Sequence, residues 1–169
     1  MMPVVLRCAC LLVAAAALSS AWADERPHRR PGLWEITRPS VDAGNPARTT
    51  QVCIDARTEA MLRDVGASFA RSTCSSTDIH VAQGEIIADA VCELGGSRAS
   101  SHTVISFTGD TEYRQRSTTT VDPPLFGRSE VAAEMDGKWL GPCAEGMRPG
   151  DMITAMGKIN LADRVAQQK

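Results

Sequence analysis

Aromatic side chains are scarce in this chain: three tryptophans, three phenylalanines and one tyrosine make up 4% of 169 residues. A core must therefore rest on Val, Ile, Leu, Met and Ala, with each tryptophan supplying an unusually large share of the apolar area. Catalytic signatures are missing too. No G-x-S-x-G elbow, H-E-x-x-H helix or Walker loop occurs, and the chain holds three histidines in all, so the sequence reads as a non-enzyme needing no cofactor. No basic stripe is present and the net charge is −2, which argues against a nucleic-acid partner. Beyond the first two dozen residues there is no C-x-x-C, which weakens zinc and thioredoxin-like readings. No internal repeat or low-complexity tract is found.

What is present begins with an export signal. Arg7 supplies the positive end, Cys8 to Leu18 are almost wholly apolar, and Ser19-Ser20-Ala21-Trp22-Ala23 ends in the small-x-small pattern of a cleavage site. The apolar run is too short for roughly 30 Å of hydrocarbon, and the residues before Cys8 and Cys10 form no lipobox. Residues 1–23 are therefore expected to be removed, leaving no membrane span and a periplasmic or secreted domain. The remaining 146 of the 169 residues fit a single domain. They keep four cysteines, Cys53, Cys74, Cys92 and Cys143, and an even count in an exported chain implies disulfides. Four cysteines allow three pairings. Cys74–Cys92 is favoured because it closes a hairpin locally, and Cys53–Cys143 then follows by exclusion.

That hairpin has arms Cys74–Val81 and Glu85–Leu94 around a turn at Gln83-Gly84. A two-residue turn sets Val81 opposite Ile86 and Ile79 opposite Ala88; a three-residue turn sets Cys74 opposite Cys92. A bulge near Ser75-Ser76 reconciles the two. Upstream, Asp24 to Pro31 is polar and proline-bounded, a loose terminus with His28 in it. Trp34 and Ile36 alternate with Leu33 and Glu35 as in a strand, a turn follows at 42–46, and Arg48 to Ile54 pairs back. From Asp55, the expected N-cap, Met61, Leu62, Val65 and Phe69 form a helical stripe expected to pack on the sheet, with Gly66 as an early stop. Farther on, Arg98–Thr108 and Glu112–Val121 form a long hairpin with Phe107 facing Tyr113 and Ile105 facing Gln115, its other face carrying His102, Arg114 and Arg116. A loop is expected over 122–127, a strand over 128–135 broken at Asp136-Gly137, and a frayed end over 162–169. The expected fold is mainly β: seven or so antiparallel strands in meander order, curved or partly closed, with one short α-helix, over residues 32–161.

Four pieces then occur in order: Pro31-Gly-Leu-Trp-Glu-Ile36, Gln51-Val-Cys53-Ile54 before a helix, the pair Cys74 and Cys92, and Lys138-Trp-Leu-Gly-Pro-Cys143 followed by Met147-Arg-Pro-Gly-Asp-Met152. In this arrangement the chain resembles the bacterial exported proteins of domain-of-unknown-function family 3617, over about residues 30–161. The resemblance implies the compartment and the disulfide framework and carries no activity.

Candidate chemistry is thin. His80 lies near a hairpin tip and His102 on a wet strand face, where either could pair with a serine. Met147, Met152 and Met156 form Met-x4-Met-x3-Met, whose soft thioethers suit Cu(I); methionine also fills irregular core gaps, and packing is preferred. Asp110, Asp136 and Asp151 each adjoin glycine and would bind calcium only if they converge. Trp34 and Trp139 line a cleft or anchor the core, with anchoring preferred. The leading expectation is a non-catalytic binding protein for a small apolar ligand or an envelope partner. Copper handling, and a structural or inhibitor-like interaction module, are the alternatives.

Overall fold

The fold is taken from a computed structural model, which describes residues 26–40 and 46–167. The segment expected to be an export signal and most of the expected first turn lie outside these residues. The elements are β1 (Gly32–Arg38), β2 (Arg48–Ile54), α1 (Ala56–Thr73), β3 (Cys74–Ala82), β4 (Glu85–Leu94), β5 (Ser97–Thr108), β6 (Glu112–Leu125), β7 (Arg128–Gly141), β8 (Asp151–Thr154), β9 (Gly157–Asn160) and α2 (Leu161–Ala166). All nine strands join one antiparallel sheet in the order β3-β4-β5-β6-β7-β1-β2-β8-β9. Strands β3 to β7 form the expected meander. The first hairpin departs from it, because β1 pairs with β7, so the opening of the chain continues the sheet past its last long strand. The sheet stays open, with β3 and β9 at its edges.

The disulfide hairpin has the expected register. Val81 faces Ile86, Ile79 faces Ala88, Cys74 faces Cys92, and the shift falls between Cys74 and Ser76. Gln83 and Gly84 have φ of 53° and 78°, the pair of positive values that a type I′ turn needs to match strand twist. The long hairpin likewise sets Phe107 opposite Tyr113 and Ile105 opposite Gln115.

Three boundaries after the disulfide hairpin differ from expectation. Strand β6 runs through Pro123 and Pro124 to Leu125, with a cis Asp122–Pro123 bond, and turns at Phe126-Gly127. The prolines are accommodated because the β6–β7 register shifts between Thr120 and Leu125, where the missing N–H groups break no regular ladder. Strand β7 passes unbroken through Asp136-Gly137. Gly137 lies beneath the Tyr113 ring, and a Cβ there would fall 2.0 Å from Cε1, so this glycine is a packing residue rather than a turn. Residues 161–166 form a helix instead of a frayed end, because Asn160 Oδ1 accepts the N–H groups of Ala162 and Asp163 and Leu161 packs on the core.

Helix α1 starts as expected: Asp55 Oδ1 accepts the Thr58 N–H at 2.7 Å. It does not stop at Gly66 but continues to Thr73, where the Ser72 and Thr73 hydroxyls both donate to the Phe69 carbonyl. Its stripe is only partly used. Met61 and Leu62 are half-buried, whereas Val65 is 39% and Phe69 55% exposed. The core is small and lies on the face shared by Trp34, Ile36, Val52, Ile54 and Tyr113, with Ile105, Phe107, Met135, Trp139, Met152 and Leu161 around it. No described helix is long and apolar enough to cross a membrane.

Candidate functional site

The most elaborate side-chain arrangement is built by the segment expected to be loose. Arg29 lays its guanidinium over two rings, 5.8 Å from the centroid of Trp34 and 5.5 Å from that of Tyr113, while its Nε donates to Glu59 Oε1 on the first turn of α1. Arg30 lies 5.0 Å over Trp139 and donates from Nε to Asp110 Oδ2 at 3.0 Å. Both indoles return the contact: Trp34 Nε1 donates to the Arg30 carbonyl at 2.9 Å and Trp139 Nε1 to the Pro31 carbonyl at 3.1 Å. A guanidinium is planar and weakly hydrated, so it can stack on an aromatic face and still bond in its own plane. This clamp ties the start of the domain to β5–β6, β7 and α1 together.

Its electrostatics follow from the geometry. Burial is the largest influence on Arg29 and weakens its charged form. The hydrogen bond and charge of Glu59, with smaller help from Tyr113, outweigh it and hold the guanidinium above its usual range. Burial pushes the Tyr113 phenol up, opposed by the nearby Arg29 and Arg38 charges. The hydrogen bond from Arg30 holds the Asp110 carboxyl below its usual range. Arg29 faces Glu59 and Arg30 faces Asp110, which suits a structural clamp.

The other candidates are distributed. Cys53–Cys143 and Cys74–Cys92 both form, with Cα–Cα separations of 5.4 and 3.7 Å. Asp110 pairs with Arg30, and Asp136 Oδ1 accepts from Arg114 Nε at 2.6 Å. Asp151 is 2% exposed and accepts from the Arg148 N–H and Asn160 Nδ2, both at 2.8 Å, with Lys158 Nζ at 3.5 Å. The Arg148 N–H first, then Asn160 and Lys158, hold its carboxyl down at about 2, against burial. The three aspartates thus neutralise three separate sets of cations and do not converge. Met152 packs against the core, Met147 is half-buried, and Met156 is 97% exposed at the β8–β9 turn. His28 is exposed beside the clamp.

His80 Nδ1 lies 3.1 Å from Asp78 Oδ2, and His102 Nδ1 lies 2.8 Å from Asp89 Oδ1. The partner of each ring is a carboxylate rather than a serine hydroxyl. Two open grooves line the sheet, one of them beside His102. One of about 440 Å³ includes Asp78, Asp89, His102 and Thr118; the other, of about 640 Å³, includes Glu35, Glu112, Arg114, Arg116 and Lys138. The first presents mainly apolar surface despite its serines and threonines, and the second presents polar and apolar surface about equally. Among the described residues no group of three His, Cys, Asp or Glu side chains is placed to hold a metal ion.

The cysteine framework and the Trp-Glu-Ile opening sit in the order read from the sequence, and the family profile described as "Protein of unknown function (DUF3617)" matches residues 29–143. The chain belongs to this family. The DUF3617 match begins at Arg29, the first residue of the clamp, and ends at Cys143, so Met147-Arg-Pro-Gly-Asp-Met152 lies beyond it. No curated protein and no solved structure matches the chain. Sequence reasoning missed Arg29, Arg30 and Glu59. The one available signal was the Arg29-Arg30-Pro31 run placed directly before the first tryptophan strand.

Proposed function

We propose that this DUF3617 protein acts outside the cytoplasm as a non-catalytic binding module that docks a protein partner of the cell envelope. The observation that carries the reading is the uncovered end of α1. Val65 and Phe69 are one turn apart on one helix face, and they remain 39% and 55% exposed although Met61 and Leu62 on the same stripe are half-buried. Residues at i and i+4 form a continuous apolar surface, and contiguous exposed apolar surface is what an interaction site presents. A protein partner suits the molecule better than a small apolar ligand, because both grooves are open to solvent, whereas a small apolar ligand takes a pocket that buries most of its surface. The export pattern of residues 1–23 and the two disulfides are consistent with the compartment.

The test is site-specific photo-crosslinking in the producing cells, with the photoreactive residue at Phe69 or, as control, at exposed Arg63 on the same helix. A discrete adduct from position 69, absent from position 63 and weakened by Val65→Ser, is expected. Equal labelling at the two positions, or none at 69, rules this docking face out.

A further inference from the structure

The two edges of the sheet are treated differently by the sequence. Strand β9 is four residues long, contains Gly157 and Lys158, and leads straight into α2, which are ordinary ways of blunting an edge. Strand β3 follows α1 directly but lacks the short length, the glycine and the lysine. It is nine residues long without proline, lysine or glycine, and Ser75 to His80 are exposed along it. Its only irregularity is the shift between Cys74 and Ser76, so the stretch from Ser76 to Ala82 is regular.

The backbone of this stretch is poised in a particular phase. In a hairpin with a two-residue turn, the residues flanking the turn exchange hydrogen bonds, and hydrogen-bonded and non-bonded pairs alternate from there. Ala82, His80 and Asp78 therefore bond to β4, and the N–H and C=O groups of Val81, Ile79 and Thr77 point away from the sheet. The middle of the regular stretch is Ile79, 49% exposed.

We propose that β3 is the interface with a second copy of this chain, paired antiparallel about a two-fold axis at Ile79 to give one continuous sheet. The register is argued from charge complementarity. With Ile79 opposite Ile79 of the partner subunit, Thr77 meets the partner's Val81, and both carry outward-pointing amides, so the ladder closes. Asp78 then stands directly opposite the partner's His80, and by symmetry His80 opposite the partner's Asp78. These are non-hydrogen-bonded pairs, the type with the closest side chains. The same register extends a charge pattern within the single chain, where Asp78 already has its own His80 at 3.1 Å. Asp78 and Asp89 are direct cross-strand partners, an arrangement that is unfavourable between like charges. His102 already flanks Asp89, as its cross-strand partner at 2.8 Å. In the paired sheet the row reads His102, Asp89, Asp78 and then the partner's His80, with an imidazole outside each carboxylate. Such an interface is isologous and closes on itself, and it does not use Val65 or Phe69.

Sedimentation velocity on the disulfide-bonded protein across a concentration series tests this. The wild type should convert from monomer to dimer. His80→Asp puts two carboxylates face to face at two symmetric places and should weaken the dimer about tenfold or more. The double variant Asp78→His/His80→Asp exchanges the two partners and should restore it. A wild type that stays monomeric up to roughly millimolar concentration, where even weak association shows, overturns the proposal. So does a His80→Asp protein that dimerises as tightly as the wild type, or a double variant no better than the single one.

Discussion

Removing the Arg29 side chain tests whether the clamp is structural. Its side chain is 16% exposed and that of its partner Glu59 18%, so the pair is substantially desolvated, though not fully. Breaking a fully buried ion pair by removing one partner costs about 3–5 kcal/mol; partial exposure reduces this to roughly half. Loss of the guanidinium from the faces of Trp34 and Tyr113 adds about 1 kcal/mol. Arg29→Ala is therefore expected to destabilise the domain by about 2–4 kcal/mol. At a urea dependence near 1.5 kcal/mol/M, the midpoint should fall by roughly 1.5–2.5 M. Equilibrium unfolding of the oxidised protein followed by tryptophan fluorescence is suitable, because Trp34 is fully buried beneath the clamp. Arg29→Lys should recover only part of the loss, since an ammonium cannot stack and bond in one plane. In a double-mutant cycle with Glu59→Ala, coupling of about 1–2 kcal/mol is expected for contacting charges. An Arg29→Ala change below about 0.5 kcal/mol, the level of an indifferent surface substitution, would refute the reasoning and make residues 26–31 the loose terminus that their composition suggests.

Gly137→Ala should destabilise by about 1–3 kcal/mol, as overpacking does, because its Cβ would fall within the Tyr113 ring. Gly66→Ala should stabilise by about 0.5–1 kcal/mol, since Gly66 lies inside α1 with nothing within 4 Å of an added Cβ; denaturant midpoints measure both. The folded Asp151 carboxyl is held at about 2, below its ordinary value of 3.8. Its contribution is therefore fully present above pH 4 and is lost as pH falls through 2. Melting temperature against pH should show this acid slope in the wild type and a shallower one in Asp151→Asn. Removing the Cys53–Cys143 bridge, which spans 90 residues, should cost more than removing Cys74–Cys92, which spans 18. Loop entropy gives about 4.6 and 3.2 kcal/mol, and paired Cys→Ser variants compared by unfolding would reveal the order.

The local registers were legible because side-chain alternation and turn length fix them together. Val81 opposite Ile86 and Phe107 opposite Tyr113 needed nothing beyond a count from each turn. Long-range placement was not legible. That β1 joins β7, with Trp34 opposite Trp139, depends on which edges meet, and strand periodicity is silent about that. The breakers misled for a related reason. Gly66, Gly137 and Pro123-Pro124 all read locally as ends, yet Gly66 remains in the helix, Gly137 makes room for a ring, and the prolines occupy a stretch where the ladder is out of step. The clamp escaped notice because cation–aromatic stacking leaves no spacing in the sequence. Arg29 and Tyr113 are far apart in the chain, and an arginine beside a proline reads as solvated until its partner is known.

The position of the core explains why this chain carries both disulfides. The buried apolar residues come from β1, β2, β5 and β6, and none from β3 or β4. One flank of the sheet is thus held by packing around Trp34 and Tyr113, whereas the β3–β4 hairpin depends on backbone pairing and the Cys74–Cys92 bridge. A hairpin with little burial is marginal in water, and a covalent closure acts on the unfolded chain whether or not apolar area is available. The second bridge serves the opposite flank, where it fixes Cys143 beyond β7 onto β2 and the Gly150 N–H donates to the Cys53 carbonyl. In the monomer, at concentrations below those that form the dimer, amide exchange should therefore be slowest in β1, β2 and β6 and fastest in β3, because opening free energy follows local burial. Addition of reductant should accelerate exchange in β3 and β4 before it affects the Trp34 region. Uniform exchange across all nine strands would mean that the hairpin shares the stability of the core, and the division of labour between packing and covalent closure would not hold.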